Sequence, residues 1–255
     1  MTDTSGGLLA GKVVLVVGAS SGIGVDAARE FAKEGASVML AARSADLLEK
    51  VVAELADEGH QAAFVAGDVT VPADVRRFVD ATVERFGRLD GALNNAAMTG
   101  KGLLHELSEE DFDRIFAVNV RGVWLCLREE LRVMLPAGSG AIVNTSSIGG
   151  AKGSTGLGAY QATKHAVNGM TRTAAHDNGP GGVRVNAISP GPIETPMLDL
   201  TRKNVPGHVE ARIANTPLRK VGLPAEVGQT AAWLLSDRAS HISGVILPVD
   251  GGFSS

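Results

Sequence analysis

The stretch Lys12-Val13-Val14-Leu15-Val16-Val17-Gly18 is a continuous β-branched run closed by a glycine. A strand that is apolar at every position must be covered on both faces, which is the situation of a parallel sheet between helices. The turn Ala19-Ser20-Ser21-Gly22-Ile23-Gly24 follows, and residues 25–34 then carry a helical pattern that stops at Gly35. Strand, glycine turn and helix together offer backbone N–H groups and a helix N-terminus to a phosphate. Gly18, Gly22 and Gly24 leave space for the close approach of a pyrophosphate that a side chain would block. Their spacing differs from Gly-x-Gly-x-x-Gly, and an ordinary tight strand-to-helix connection reads the same way.

The pattern repeats. Short apolar runs at 37–41, 61–66, 89–93, 140–146 and 244–249 read as strands. Helical stretches lie at 46–58, 72–86, 109–135, 223–237 and from 158 onward. Pro72 stands in the first turn of its helix, where a missing N–H costs nothing. This alternation predicts an α/β fold, a single doubly wound parallel sheet of Rossmann type with helices on both faces. Hydrophobic residues make up 44% of the chain and aromatics only 4%, so Ala, Val, Leu and Ile must build the core. The alternation runs to the end, so 1–255 reads as a single dinucleotide-binding domain, with 1–8 a flexible tail and 194–218 a segment that closes over substrate.

Several classes are disfavoured. The net charge is −4 and no basic run marks a nucleic-acid surface. Cys126 is the single cysteine, which rules out an internal disulfide and fits a reducing, cytoplasmic setting. It reads as a packing residue. The six histidines are scattered without metal-ligand spacing, so no metal is expected. No window has the apolar length of a membrane span. Residues 1–7 lack the basic start and apolar centre of a signal peptide.

Ligands of open α/β sheets bind at the carboxyl ends of the strands. Arg43 lies just past the second strand. An acid near this point binds the ribose 2′-hydroxyl of NAD, whereas an arginine accommodates the 2′-phosphate of NADP. Ala41-Ala42-Arg43 stands in the acid's place, which favours NADP and leaves NAD open. Asn119 sits on an apolar helical face, where a buried amide must be hydrogen-bonded, in the simplest case to backbone. Ser147 ends the fifth strand.

Tyr160 is the only tyrosine, and Lys164 follows it by four residues, on the same helical face. A free phenol titrates near 10 and is a poor base at neutral pH. Lowering it by about 3 units takes roughly 4 kcal/mol of preferential stabilisation of the anion. One exposed lysine does not supply that, but a lysine plus a second cation in a water-poor site can. Such a phenol suits proton exchange with an alcohol or ketone oxygen. A competing pattern, Gly18-Ala19-Ser20-Ser21-Gly22, matches the nucleophile elbow of serine hydrolases, with Ser20 as nucleophile. It follows the first strand, and no histidine stands in a matching loop.

Taken in order, Gly18-x-x-x-Gly22-Ile23-Gly24, Asp68-Val69, Asn94-Asn95-Ala96, Asn119, Ser147, Tyr160-x-x-x-Lys164, Pro190-Gly191 and Val249-Asp250-Gly251-Gly252 resemble the short-chain dehydrogenase/reductase family from about Leu9 to the end. The serine thirteen residues before the tyrosine is an especially specific feature. The resemblance implies an oxidoreductase passing hydride between NADP(H) and a secondary alcohol or ketone, acting as a homotetramer or dimer on a small molecule. Tyr160 would be the general acid/base. Lys164 would hold the nicotinamide ribose and lower the phenol pKa, with the oxidised nicotinamide as second cation. Ser147 would bind the substrate oxygen, and Asn119 would hold a water leading to solvent. Gly18, Ser20, Ser21, Gly22, Ile23, Gly24 and Arg43 would line the phosphates and ribose, Asp68 and Val69 the adenine, Asn95 and Ala96 the adenosine side. Pro190, Gly191, Ile193 and Thr195 would lie at the nicotinamide end. The chain departs from the family at Val17, where threonine is usual, at Ala97, where glycine is usual, and at Ser21, where NADP-using members often carry a basic residue. A dinucleotide-binding sensor without catalysis is the alternative. In the closing segment Pro196, Met197, Leu198, Leu200, Val205, Ile213 and Pro217 suggest an apolar pocket, with Arg202, Lys203, His208 and Arg212 solvated. Five glycines among residues 149–158 suggest a roomy wall beside Tyr160.

Overall fold

The computed structural model describes residues 6–100, 102–204 and 207–255. Its first half runs β1 (Val13–Val17), α1 (Ile23–Lys33), β2 (Ser37–Ala42), α2 (Ala45–Asp57), β3 (Ala62–Ala66), α3 (Pro72–Phe86), β4 (Gly91–Asn94) and α4 (Glu109–Phe116). The second half runs α5 (Gly122–Ala137), β5 (Gly140–Thr145), α6 (Gly158–Asn178), β6 (Val183–Pro190), α7 (Pro196–Asn204), α8 (His208–Ala214), α9 (Pro224–Leu235) and β7 (Ile246–Val249). Among the described residues the strands form one parallel sheet in the order β3-β2-β1-β4-β5-β6-β7. The order reverses between β1 and β4, which opens a crevice at their carboxyl ends.

The alternation of β1 explains why helices cover both faces. Val14 and Val16 pack into a cluster with Phe31 of α1 and Val227 and Ala231 of α9. Leu15 and Val17 enter the opposite cluster with Phe78 of α3 and Leu125 of α5. Phe31 and Phe78 are the largest fully buried side chains, and small aliphatics fill the rest. Gly87 ends α3 at φ 81°, a left-handed conformation that suits a residue without Cβ.

Two differences from the sequence reading have identifiable causes. The strand β6 is absent from the runs recognised above. Arg184 and Asn186 interrupt its apolar residues and make it look half-solvated. Both are satisfied inside: Arg184 Nη1 donates to Leu234 O at 2.8 Å, and Asn186 Nδ2 donates to Ile242 O at 2.9 Å. The helical stretch 109–135 is broken by a π-helical turn, Ala117–Arg121, that carries Asn119. Such turns often mark functional positions in a helix. Of the expected tail, residues 1–5 lie outside the described residues, while Leu8 donates its N–H to Glu34 Oε2 at 2.6 Å and packs against the first cluster. Val205 also lies outside them. No helix among the described residues is long and apolar enough to cross a membrane.

Candidate active site

The loops leaving β1 to β6 meet around a single large cleft of about 1170 Å³. Gly18, Ser20, Ser21, Gly22 and Ile23 line it from the first loop, Arg43 from the second, and Asp68 and Val69 from the third. Asn95 and Ala96 follow, then Ser147, Tyr160 and Lys164, and finally Pro190, Gly191, Ile193 and Thr195. Gly24 and Asn119 are not among the lining residues. A Cβ on Gly24 would lie 2.1 Å from Gly18 O, so this glycine lets α1 pack onto the turn.

Gly18 has φ 87°, and a Cβ there would fall 2.5 Å from Ala96 N. The glycine therefore brings the loops after β1 and β4 together, and Asn95 Nδ2 fastens them by donating to Gly18 O at 3.2 Å. Gly22 starts α1 at φ 56° with no side-chain cap, so the first-turn N–H groups remain available to an anion. Asp68 Oδ1 accepts from Thr70 N and Thr70 Oγ1, both at 2.8 Å, which fixes the third loop.

Ser147 follows β5 and caps a short 3₁₀ turn, its Oγ accepting from Gly149 N at 3.1 Å. Tyr160 and Lys164 lie a turn apart on α6, with Lys164 Nζ 5.6 Å from the centre of the Tyr160 ring. Lys164 is buried and its Nζ donates to Thr145 O at 2.8 Å. Burial pushes the amine down to about 8. Asn119 uses its amide fully on the N–H side: Nδ2 donates to Met98 O at 2.8 Å and Thr163 Oγ1 at 3.1 Å. Its Oδ1 accepts from Met98 N at 2.8 Å. This side chain anchors the π-turn to the loop after β4 and to α6.

The chain's own groups do not acidify Tyr160, as the need for a second cation implies. Burial raises the phenol above its ordinary value, against the opposing influence of the Ser147 hydroxyl and of the Arg212 charge. Lys164 Nζ is bonded to the Thr145 carbonyl. Lowering the phenol requires a further cation at the site.

Arg212 was read as solvated but lines the cleft half-buried. Arg202, by contrast, is paired with Glu194 and with Asp199 at 3.1 Å. Nothing in a short stretch of sequence separates these two arginines; only the fold does. The glycines of 149–158 divide as well. Gly149 and Gly150 are buried, and a Cβ on Gly150 would meet Asn168 Nδ2 at 2.7 Å, whereas Gly153 and Gly156 have open space around them. Of these five glycines only Gly156 lines the cleft. No histidine lines the cleft among the described residues, so Ser20 lacks the base a hydrolase needs.

Comparison with known proteins settles the class. The family model described as Enoyl-(Acyl carrier protein) reductase matches residues 18–254. The A-factor type gamma-butyrolactone 1'-reductase (1S-forming) of Streptomyces virginiae is 44% identical over 256 residues, covering 100% of this chain and 99% of that protein. The chain belongs to the short-chain dehydrogenase/reductase family. The crystal structure of levodione reductase superposes with a TM-score of 0.93 at 36% identity, covering 96% of this chain and 98% of that one. That of a variant actinorhodin polyketide ketoreductase with NADPH gives 0.92 at 32%, covering 98% and 99%. As a member of the short-chain dehydrogenase/reductase family, the protein is an oxidoreductase of alcohols and ketones that uses a nicotinamide dinucleotide.

The residues present fit that cofactor. A Cβ at Gly18 would collide with the Ala96 backbone and one at Gly22 would press on Thr195, so the turn keeps this shape, with its N–H groups bare, only with glycine. Thr145 Oγ1 is buried without a partner. Lys164 Nζ has three N–H donors and one acceptor here, leaving two for vicinal hydroxyls.

Proposed function

We propose that this protein reduces a ketone, or oxidises the matching secondary alcohol, with NADP(H) as its cofactor. The observation that carries the reading is the meeting of Ser147, Tyr160 and Lys164 on the wall of the cleft that the glycine turn also lines. The nicotinamide would supply or accept the hydride. Ser147 would donate to the substrate oxygen as charge develops on it. Tyr160 would give that oxygen its proton in reduction and take it back in oxidation. Lys164 would hold the ribose hydroxyls and, with the cationic nicotinamide, favour the phenolate. Asn119 would keep a water near Lys164 through the free lone pair of Oδ1. The residues of the glycine turn, Asp68, Val69, Asn95 and Ala96 would seat the adenosine and pyrophosphate. Pro190, Gly191, Ile193 and Thr195 would flank the nicotinamide.

Arg43 supports NADP over NAD. It is exposed at the mouth of the cleft, past β2, where the 2′-position of the adenosine ribose would lie. Arg43→Ala should cost about 10-fold or more in kcat/KM for NADPH and leave NADH little changed, consistent with loss of one charge-assisted contact. Initial rates with both cofactors across quinones, cyclic ketones, β-ketoesters and sugars test both points. An unchanged cofactor preference would remove Arg43 from the reading, and silence on every carbonyl would favour a binding protein without catalysis.

The protein is also read as a cytoplasmic homo-oligomer, a tetramer or dimer. Phe112 and Trp124 of the α4–α5 stretch are exposed at 39% and 48%, a face that light scattering can show to be covered by a second copy.

A further inference from the structure

Four cations line the cleft among the described residues: Arg43, Arg114, Lys164 and Arg212. Arg43 is open to water. Arg114 is paired with Asp111 at 2.6 Å. Lys164 is bonded to Thr145 O. Arg212 differs from all three. It is half-withdrawn from water, and its nearest acceptor is Ser154 Oγ at 3.5 Å, the outer limit of a hydrogen bond. The one titratable group coupled to it is the phenol of Tyr160. The same cleft is lined by the apolar side chains of Val209, Met197, Leu198, Met98 and Leu157.

A half-buried guanidinium without a carboxylate partner is partly desolvated without compensation. An anionic oxygen pair would remove that cost, and the planar fork of arginine matches a carboxylate with two parallel hydrogen bonds. The cofactor phosphates are assigned to the glycine turn in the reading above, which leaves the substrate as the source of that anion. It is the substrate that reaches both Tyr160 and the closing segment.

We propose that the substrate is an oxo acid or hydroxy acid, an apolar skeleton whose carboxylate is bound by Arg212 while its carbonyl or hydroxyl carbon faces Tyr160. This deepens the reading above and rests on Tyr160 as the proton donor. Arg212 is then a specificity-determining residue carried on α8.

The test compares 4-oxopentanoate, 5-oxohexanoate and 6-oxoheptanoate with 2-pentanone, 2-hexanone and 2-heptanone, in wild type, Arg212→Gln and Arg212→Lys. In wild type the best oxo acid should exceed its uncharged partner about 10- to 100-fold in kcat/KM, mostly through KM, the range of a charge-assisted hydrogen-bonded pair. Arg212→Gln should erase that advantage, read as the ratio of acid to ketone within each protein, and Arg212→Lys should keep part of it. Hexanoate should inhibit 2-hexanone reduction competitively in wild type and not in Arg212→Gln. Thermal melting and cofactor titration of both variants establish that they are folded. Equal kcat/KM for acid and ketone in wild type, or an advantage unchanged in Arg212→Gln, would overturn the proposal while reduction itself stands. Equal losses on both series with a shifted pH profile would overturn it too, showing Arg212 to act through the phenol. Absence of turnover on every carbonyl would instead bring down the reading on which it rests.

Discussion

Tyr160→Phe is expected to lower kcat for ketone reduction by about 10²- to 10⁴-fold, the contribution of a positioned acid. The change removes one oxygen and keeps the ring that packs beside Lys164 on α6. Cofactor affinity should therefore move little, because the ribose contact is assigned to Lys164 and the phosphates to the turn after β1. Steady-state rates and a separate cofactor titration distinguish the two effects. A variant that reduces every active ketone at the wild-type rate would show that another group delivers the proton. Ser147 could not easily replace it, since its Oγ already accepts from Gly149 N and has only one proton to give to the substrate oxygen.

Replacing Glu130 by glutamine should flatten the dependence of stability on pH. Glu130 is fully buried on α5, where burial pushes its carboxyl from the ordinary 4.5 up to about 8. Asn94 Nδ2 donates to its Oε2 at 3.1 Å, while Glu130 Oε1 and Asn94 Oδ1 are both left without partners. Those two orphans are what a protonated carboxyl would join, its O–H donating to the amide oxygen in a two-bond acid–amide pair. The folded protein therefore keeps a proton that the unfolded chain releases near 4.5. Between 4.5 and about 8 the folded state binds more protons than the unfolded one, so stability falls as pH rises through that window. The full fall is on the order of 4–5 kcal/mol, or roughly 10 °C in Tm for a chain of this size. In Glu130→Gln the amide cannot titrate, and the melts at pH 5 and pH 8.5 should nearly coincide. Parallel loss in both proteins would mean that Glu130 is ionised in the folded state or that other groups dominate.

The extent to which the chain could be read in advance follows local physics. The strand β1, its glycine turn and α1 were legible because every signal sits within a few residues: period, β-branching and conformation at Gly18 and Gly22. The same holds for Pro72 at the start of α3. β6 was hidden because Arg184 and Asn186 satisfy themselves on carbonyls about 50 residues away. Glu130 stands beside Arg128 and Glu129 and drew no reading from the sequence. The clue was its phase, three residues from Leu127 and four from Met134, both buried on the same face. Arg212 had no local signal at all, since exposure on a seven-residue helix depends on what the closing segment rests against. The tuning of Tyr160 was read as the joint effect of Lys164 and a bound cationic nicotinamide, and the chain's own groups alone leave the phenol raised. Spacing placed Lys164 beside the ring, but burial of the phenol and the bond from Lys164 to Thr145 O are tertiary facts.

Because Tyr160 is the only tyrosine, its ionisation can be followed in isolation through the tyrosinate absorption band, with Tyr160→Phe as the blank. In the protein without cofactor the midpoint should lie above the ordinary phenol value, as burial requires. Saturation with oxidised cofactor should bring it down by about 1–3 pH units, the effect of a cation placed close to an acid. The same midpoint with and without the dinucleotide would contradict the assignment of this phenol as the tuned acid/base of the site.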